Sequence, residues 1–285
     1  KIIKKYHVTN PPPPPSPDAP AERRLKDGEL HNKFYAMLLN PSHVVDDDFP
    51  NDWGINDTEE ALALSGVNDS RLKDCIVDAS ASVWGVPTMR PAQLEACFRL
   101  LHPDRPNSLI VIHHTGGGET HILRTRGVIK RGIVLIFIPL LTLSADVMHK
   151  FEEYNPTWGK VGVYHRQLYH SLLSGCTLLG CDTSSTFFIF LSPQFLINHR
   201  DALGVFVSCA HKRTLRVIAM DEAHIHVQHG TSFREDIRAL RIEFFRKVYG
   251  NQPRDLRPRL IALTAIFPTK YVELLSTLLI VDIYR

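Results

Sequence analysis

The chain lacks the features that would place it in a membrane, in a secretory pathway or among disulfide-bonded proteins. Its apolar runs stay below the roughly 18 to 20 residues of a membrane span, and it starts without a secretory hydrophobic region. Its 5 cysteines are scattered, odd in number and without CxxC pairing, which argues against a disulfide framework or a thiolate zinc site. The net charge of +3 is too small to indicate a nucleic-acid partner by itself. We therefore expect an intracellular protein, not bound to a membrane, with reduced thiols.

The composition divides the chain into three parts. With 285 residues, 44% hydrophobic and 22% charged, it is long enough for one large globular domain or two small ones. Residues 1–30 hold the run Pro11 to Pro15 and are predicted to be a proline-rich disordered tail or linker. Residues 31–82 form an acidic, partly helical lead-in, and residues 83–285 form the folded domain. Because the chain begins at Lys1, we expect a fragment or a processed piece.

From about residue 84 onward, short apolar runs alternate with amphipathic stretches. We predict strands at 109–112, 132–138, 160–164, 186–191, 215–220 and 259–263, with a possible last strand at 278–283. We predict helices near 93–102, 119–129, 140–153, 232–248 and 268–277. Continuous apolar strands that alternate with helices are typical of a parallel sheet covered on both faces. Ligands of such α/β folds bind beyond the carboxyl ends of the strands.

A glycine loop follows the first predicted strand and precedes a predicted helix. Thr115, Gly116, Gly117, Gly118, Glu119 and Thr120 match a phosphate-binding P-loop in this order of elements. Position 119 normally holds a lysine that reaches the terminal phosphates, and the following hydroxyl holds Mg²⁺. A unit-charge pair at about 4 Å is worth roughly 4 kcal/mol at an effective dielectric near 20, so Glu119 should weaken triphosphate binding at least a hundredfold. Three glycines alone are also compatible with a flexible turn.

An acidic pair lies directly after another buried strand. Asp221 and Glu222 follow the apolar run that ends at Met220, and His224 completes an Asp-Glu-Ala-His box. A carboxylate at such a strand end can hold Mg²⁺, and its neighbour can orient a water that attacks the γ-phosphate. One acidic pair after a strand is often incidental. The glycine loop about a hundred residues earlier, in the same alternating pattern, strengthens the interpretation.

Further stretches resemble the motifs of one family in chain order. These stretches are Trp84 to Gln93, the loop Thr115 to Thr120, Phe137 to Leu143, Leu191 to Gln194, the box with its following loop to Arg234, and Leu263 to Ala265. Together they resemble the first RecA-like lobe of RecQ-type DEAH-box DNA helicases of superfamily 2. DEAD-box RNA helicases share the P-loop and the acidic box, but the Gln-x-Gly-x-x-Phe-Arg loop directly after the box favours the RecQ type. The resemblance implies a P-loop NTPase fold with a RecA-like parallel sheet.

The resemblance also implies roles for individual residues. Arg90 and Gln93 would contact adenine, the loop from Thr115 to Thr120 would bind the phosphates of ATP, and Thr120 and Asp221 would hold Mg²⁺. Asp221, Glu222 and His224 would be catalytic. Residues near the nucleic acid or coupling it to ATP would be Pro139, Ser192, Gln228, His229, Phe233, Arg234 and Thr264. The implied partners are DNA, as single strands or duplex junctions, and a second helicase lobe, in DNA repair or recombination. The location would be nuclear in a eukaryote and otherwise cytoplasmic.

Several residues depart from the family pattern at positions where the family residue is expected to support activity. Besides Glu119, they include Val86, Gln194, His229, Thr231 and Ile266, several of which remove expected contacts to ATP or DNA. The chain stops at Arg285, soon after the last matched motif, so we do not expect it to unwind DNA alone. A second hypothesis stays open, a catalytically dead, helicase-derived module that binds DNA or a protein. Another superfamily 2 ATPase is a further alternative.

Two basic or histidine-rich groups receive plainer interpretations. His224, His226 and His229 cluster in sequence, but the family loop explains them better than a zinc site does. The run His211-Lys212-Arg213 has no motif around it and is interpreted as solvated rather than phosphate-binding.

Overall fold

The computed structural model describes residues 68–102, 108–112, 118–139, 160–163, 186–225, 231–250, 252–253 and 256–265. Within them, the side chains at 82–83, 160–163 and 231–234 are not described. The predicted proline-rich tail, most of the acidic lead-in and the elements predicted at 140–153, 268–277 and 278–283 lie outside these ranges. None of the described helices is long and apolar enough to cross a bilayer.

A six-stranded parallel sheet forms the centre of the domain. Its strands are β1 (Ser108–Ile112), β2 (Gly132–Phe137), β3 (Lys160–Val163), β4 (Thr186–Leu191), β5 (Leu215–Met220) and β6 (Arg259–Thr264). They lie in the order β1-β6-β5-β2-β4-β3, and every neighbouring pair is parallel. The predicted fold class, an α/β P-loop NTPase with a RecA-like parallel sheet, is confirmed. Each predicted strand within the described residues is present, with ends shifted by one residue at most.

Helices cover both faces of the sheet. They are α1 (Asp69–Trp84), α2 (Pro91–Leu101), α3 (Glu119–Ile129), α4 (Pro193–Asn198), α5 (Arg200–His211), α6 (Thr231–Leu240) and α7 (Arg246–Tyr249), with a π-helical turn at Arg241–Phe245 between the last two. Helices α1 to α3 pack on one face through one apolar cluster, and α4 to α7 pack on the other through a second. Alternate strand residues feed the two clusters, since Val134 and Ile136 belong to the first and Ile133 and Leu135 to the second.

Continuous apolar sequence explains why the central strands lie inside. All six residues of β2 and all six of β4 are buried, because helices cover both sides of the sheet. Helix α3, which follows the glycine loop, packs closely onto this surface at Gly127. A Cβ added there would lie 2.8 Å from the Phe188 ring, and the Thr186 hydroxyl donates a 2.8 Å hydrogen bond to the Gly127 carbonyl. The helix that starts at the candidate site is therefore held firmly against the sheet.

Three helical regions differ from the sequence expectation. Helix α1 runs through the end of the lead-in that was predicted to be partly helical. It also buries Leu72, Ile76 and Ala79, an apolar face that the acidic composition concealed. Helices α4 and α5 occupy a stretch for which we predicted no helix. The short α4 is started by Ser192 and Pro193, and α5 buries Leu203 and Phe206 against the sheet. Helix α2 begins at Pro91, two residues earlier than predicted, because proline suits the first helical position.

Candidate functional site at the carboxyl edge of the sheet

The acidic box is held between two strands of the sheet. The Asp221 N–H donates to the Phe137 carbonyl at 2.9 Å, and the Ala223 N–H donates to the Leu263 carbonyl at 2.9 Å. These bonds extend the pairing of β5 beyond its last residue, toward β2 on one side and β6 on the other. The box therefore begins as a continuation of the sheet rather than as a free loop.

The turn inside the box has a strained backbone. Glu222 has φ 47, in the left-handed region that non-glycine residues seldom adopt, and its N–H donates a 3.0 Å hydrogen bond to Asp221 Oδ1. Such a conformation costs on the order of 1 kcal/mol or more and is common where a side chain must be aimed at a ligand. The turn directs the two carboxylates to the carboxyl edge of the sheet.

His224 connects the box to the end of β6. Its Nδ1 lies 2.9 Å from the Thr264 hydroxyl oxygen and 3.3 Å from Glu222 Oε2. Thr264 is fully buried, so its hydroxyl is a fixed partner for the ring. A proton on Nδ1 can be shared between the hydroxyl and the carboxylate. The structure thus brings together three residues that were predicted separately from two motifs.

Glu119 faces the same acidic residues from the start of α3. Burial, followed by the nearby carboxylates of Asp221 and Glu222, raises the pKa of Glu119 to about 7. Its Oε1 is buried and finds no hydrogen-bond partner among the described residues. The position predicted for the phosphate lysine is therefore close enough to the acidic box to interact with it electrostatically. It carries a carboxyl group whose pKa is raised well above its ordinary value.

The Gln93 side chain is buried and contacts the glycine loop. It is 6% exposed, its Nε2 donates to the Gly118 carbonyl at 3.2 Å, and its Oε1 accepts from the Arg90 N–H at 3.0 Å. Gly118 has φ 80 and precedes the first residue of α3. A Cβ there would collide with the Gln93 amide nitrogen, so glycine is required for this contact. The predicted adenine motif and the glycine loop are joined directly through protein atoms.

The remaining predicted residues are placed as follows. Ser192 accepts a 3.1 Å hydrogen bond from the Phe195 N–H and caps α4, while Pro139 lies two residues beyond β2. Thr120 is half-buried in the first turn of α3. Phe233 and Arg234 lie in α6, and their side chains are not described. The residues outside the described ranges are Thr115, Gly116, Gly117, Gln228 and His229.

The arrangement fits the proposed ligands only in part. Mg²⁺ in such sites is held by one or two carboxylates together with substrate phosphates, and Asp221 supplies a carboxylate at the expected strand end. The described residues contain no group of three or more metal-ligating side chains that would form a complete metal cage. The terminal phosphates of ATP fit poorly, because the buried Glu119 carboxyl occupies the place of a cation. We therefore derive no hydrolytic step.

Sequence reasoning missed His121, which connects α3 to α1. Its Nε2 lies 2.8 Å from the Ser80 hydroxyl, which in turn donates to the Val86 carbonyl at 3.1 Å. Burial, followed by the nearby Arg124, lowers the pKa of His121 to about 4, so the ring is neutral at physiological pH. A single histidine in a helix has no sequence signature. Its role depends on residues about forty positions away in the chain.

The chain was compared with protein-family models and with solved structures. No family model matches the chain. Among solved structures, the chain is similar to the crystal structure of the Pyrococcus furiosus Hef helicase domain, with 20% sequence identity and a TM-score of 0.44. That match covers 69% of this chain and 38% of that one. The class of the protein, a RecA-like α/β domain of the P-loop NTPase type, rests on the strand order and pairing of its own sheet.

Proposed function

We propose that this chain is the ATP-binding lobe of a RecQ-like, ATP-dependent DNA helicase whose nucleotide site is impaired by Glu119. The observation that carries the proposal is the electrostatic interaction of Glu119 with Asp221 and Glu222, because a P-loop residue and an acidic box must converge on one phosphate group. The two motifs lie about a hundred residues apart in the sequence. Their convergence at the carboxyl edge agrees with where ligands bind in this class of sheet.

The bond between His224 and Thr264 supports a coupling role for the site. Thr264 lies at the end of β6, in the motif that the family resemblance relates to strand separation. A change at the acidic box would be felt at Thr264 through the His224 ring, since the two atoms are 2.9 Å apart. In the full helicase, this contact would transmit the state of the nucleotide toward the DNA.

The partners in this proposal are ATP with Mg²⁺, DNA as single strands or duplex junctions, and a second RecA-like lobe. Thr120 and Asp221 would hold the metal ion, and Arg90 would lie nearest the base. Ser192 and Arg234 would lie toward the DNA. The protein would act inside the cell, in repair or recombination. Unwinding would belong to the complete two-lobed enzyme.

Restoring the lysine tests the proposal. We expect Glu119→Lys to raise the affinity for a fluorescent ATP analogue with Mg²⁺ by at least about a hundredfold, because a repulsion becomes an attraction. The matched control is Glu119→Gln, which removes the carboxylate without supplying a cation and should give an intermediate affinity. If Glu119→Lys bound the analogue no better than the unchanged chain, the assignment of the loop as a nucleotide site would be wrong.

A second candidate function is a catalytically dead module that binds DNA or a protein. The observation that favours it is the same buried carboxyl at position 119, since three acidic groups around a phosphate position repel a triphosphate. This candidate predicts salt-sensitive DNA binding that ignores ATP. A change in DNA affinity on adding ATP with Mg²⁺ would favour the helicase lobe instead.

A further inference from the structure

The amino-terminal edge of the sheet, opposite the candidate nucleotide site, carries a row of basic residues. Strands β2, β5 and β6 are neighbours in the sheet, and each is preceded or begun by lysine or arginine. Helix α7 ends at the same edge, because the Tyr249 hydroxyl donates a 3.1 Å hydrogen bond to the Pro258 carbonyl just before β6. We call this group the basic edge. Its exposed members are Lys212, Arg213, Arg246 and Lys247, and the more enclosed Arg131 and Arg216 lie beside them.

Direct contacts hold the parts of the basic edge together. His211 Nε2 lies 3.3 Å from the Lys247 carbonyl, which joins the end of α5 to α7. Arg216 Nε donates to the Arg131 carbonyl at 3.2 Å, which joins the starts of β5 and β2. Neighbouring strands lie about 4.8 Å apart, so three strand starts span roughly 10 Å. This distance is enough for two consecutive phosphates of an extended strand.

The outermost members of the basic edge are solvent-exposed. They are Lys212, Arg213, Arg246 and Lys247. Lys247 pairs with a carboxylate, since Glu243 Oε2 lies 3.1 Å from its Nζ. Ile242 is the exposed large apolar side chain of the described region, and one such residue does not make an apolar docking patch. The surface suits a polyanion better than an apolar partner.

Arg213 adopts a backbone conformation that its side chain makes unfavourable. Its φ is 61, and the Thr214 and Arg213 N–H groups donate to the Cys209 and Ala210 carbonyls at 2.9 and 3.0 Å. This is a Schellman cap, in which the left-handed position is usually glycine. An arginine there costs about 1 to 2 kcal/mol of backbone strain.

Helix dipoles explain part of the basic edge but not all of it. Cations near the ends of α5 and α7 interact favourably with the carboxyl termini of those helices. That effect is satisfied equally well by a lysine or arginine inside the last turn, where no strain arises. It also does not account for the basic residues at the starts of β2 and β6.

We propose that the basic edge binds the phosphate backbone of a nucleic-acid strand, independently of the candidate nucleotide site. Arginine and lysine side chains neutralise phosphates without regard to sequence and release counterions from the strand. The structure thus changes the interpretation of the run His211-Lys212-Arg213, which sequence analysis treated as merely solvated. The site lies on the opposite edge from the predicted DNA contacts at Ser192 and Thr264.

Salt-dependent binding tests the proposal without any nucleotide, so its outcome is separate from that of the ATP experiment. Binding of an oligothymidine of about 20 nucleotides is followed by fluorescence anisotropy over a range of salt concentrations. The variant combines Lys212→Gln, Arg213→Gly, Arg246→Gln and Lys247→Gln in the full chain. Each lost phosphate contact should reduce the magnitude of the negative slope of log affinity against log salt by about 0.7. It should also weaken the affinity at 0.1 M salt about fivefold. The combined loss should reach several hundredfold.

Arg213→Gly and Lys73→Gln form a matched pair of single-charge variants. Lys73 lies on α1, on the other face of the sheet, 2.8 Å from Glu95, which keeps Arg99 as a second partner. We expect Arg213→Gly to lose about fivefold in affinity and Lys73→Gln to lose almost nothing. Because glycine relieves the strain at position 213, a loss of binding there cannot be attributed to misfolding.

Two results would overturn the proposal. One is an equal effect of Arg213→Gly and Lys73→Gln, which would assign the binding to overall charge. The other is tight binding of a poly-glutamate peptide with no binding of the oligonucleotide. The edge would then serve an acidic polypeptide, such as the stretch of this chain from Asp46 to Glu60, in place of a nucleic acid.

Discussion

The two edges of the sheet carry opposite charge. At the carboxyl edge, Glu119, Asp221 and Glu222 gather around the place where a P-loop protein binds phosphate. At the amino edge, where this class of fold has no required ligand, lysines and arginines surround the starts of three neighbouring strands. The comparison teaches that a fold fixes where loops and strand ends meet, whereas the side chains placed there decide which ligand is attracted or repelled.

The edges also differ in what surrounds their strained positions. Each edge has a glycine with positive φ, Gly118 with φ 80 at the carboxyl edge and Gly132 with φ 123 at the amino edge. At Gly118 the nearest group is the Gln93 side chain, whereas at Gly132 it is a backbone carbonyl. A side chain can move, whereas the Thr214 carbonyl is held by a 2.8 Å hydrogen bond from the Ile133 N–H. The carboxyl edge is therefore the more adaptable of the two.

Alanine at the two glycines should give the largest effects. An added Cβ at Gly132 would lie 2.6 Å from the Thr214 carbonyl oxygen and 2.8 Å from Arg216 Cγ. We expect Gly132→Ala to lower the free energy of unfolding by about 3 to 5 kcal/mol and Gly118→Ala by about 1 to 3 kcal/mol. Urea unfolding monitored by circular dichroism measures both. Gln93→Ala should restore part of the loss at Gly118; equal costs at the two glycines would contradict the difference between the edges.

Neutralising Glu119 should change the pH dependence of stability. Its pKa is raised to about 7 in the folded chain, from an ordinary value of 4.5, so the folded state binds the proton more tightly. Stability from this group is therefore greatest at acidic pH and falls as the pH rises toward and through 7. Glu119→Gln should remove that slope and stabilise the chain at pH 8 by about 1 to 2 kcal/mol, allowing for partial solvent screening. Urea unfolding of both proteins at several pH values between about 4.5 and 8 measures the difference.

Replacing His121 should change the pH dependence of stability in the direction opposite to that expected for Glu119. Its pKa is lowered to about 4 from 6.5, so the unfolded chain takes up a proton before the folded chain does, and stability falls as the pH drops from about 6.5 toward 4. His121→Gln should abolish this loss, by about 1 to 2 kcal/mol at acidic pH, while its amide keeps a bond to Ser80. Thermal unfolding across the same pH range compares the two variants. If the contributions of Glu119 and His121 to stability changed in the same direction with pH, the direction of one of the two pKa shifts would be wrong.

Arg213→Gly should give the smallest change in stability and a contrasting change in binding. Removing the left-handed strain gains about 1 to 2 kcal/mol, and the greater freedom of glycine in the unfolded chain costs roughly 0.5 to 1 kcal/mol. The expected net effect is an increase of about 0.5 kcal/mol in unfolding free energy. Chemical denaturation measures this change in the free energy of unfolding, with Lys73→Gln as the matched variant. A clear destabilisation would assign Arg213 a structural role and weaken the case for the basic edge.

Much of the sheet followed from the sequence because the central strands are apolar throughout. The runs at 132–138 and 186–191 predicted β2 and β4 to within one residue, since only strands buried on both faces tolerate such composition. The lead-in was predicted to be partly helical, but its acidic residues concealed the bounds and the buried face of α1. Helices α4 and α5 were not predicted, although Ser192 and Pro193 supply a start signal for α4. Helix α3 was predicted to the residue, because the glycine loop indicates where it begins.

The candidate site was predicted less completely than the sheet. The residue types at Glu119, Asp221 and His224 were identified from local motifs, and those motifs need only a few adjacent positions. The contacts between motifs were not identified, because Gln93 reaches Gly118 and His224 reaches Thr264 across 25 and 40 positions of the chain. Such pairs depend on how strands are ordered in the sheet, and β6 inserts between β1 and β5 although it is the last of the described strands along the chain.

The sequence by itself determined the class of fold and the order of strands and helices along the chain. These are properties of local composition and period. Only the tertiary structure decided that the half-buried Glu119 interacts electrostatically with two other carboxylates, that Gln93 holds Gly118, and that basic residues from separate strands line one edge. The physical reason is that burial and charge act through space, over distances that the spacing of residues along the chain does not specify.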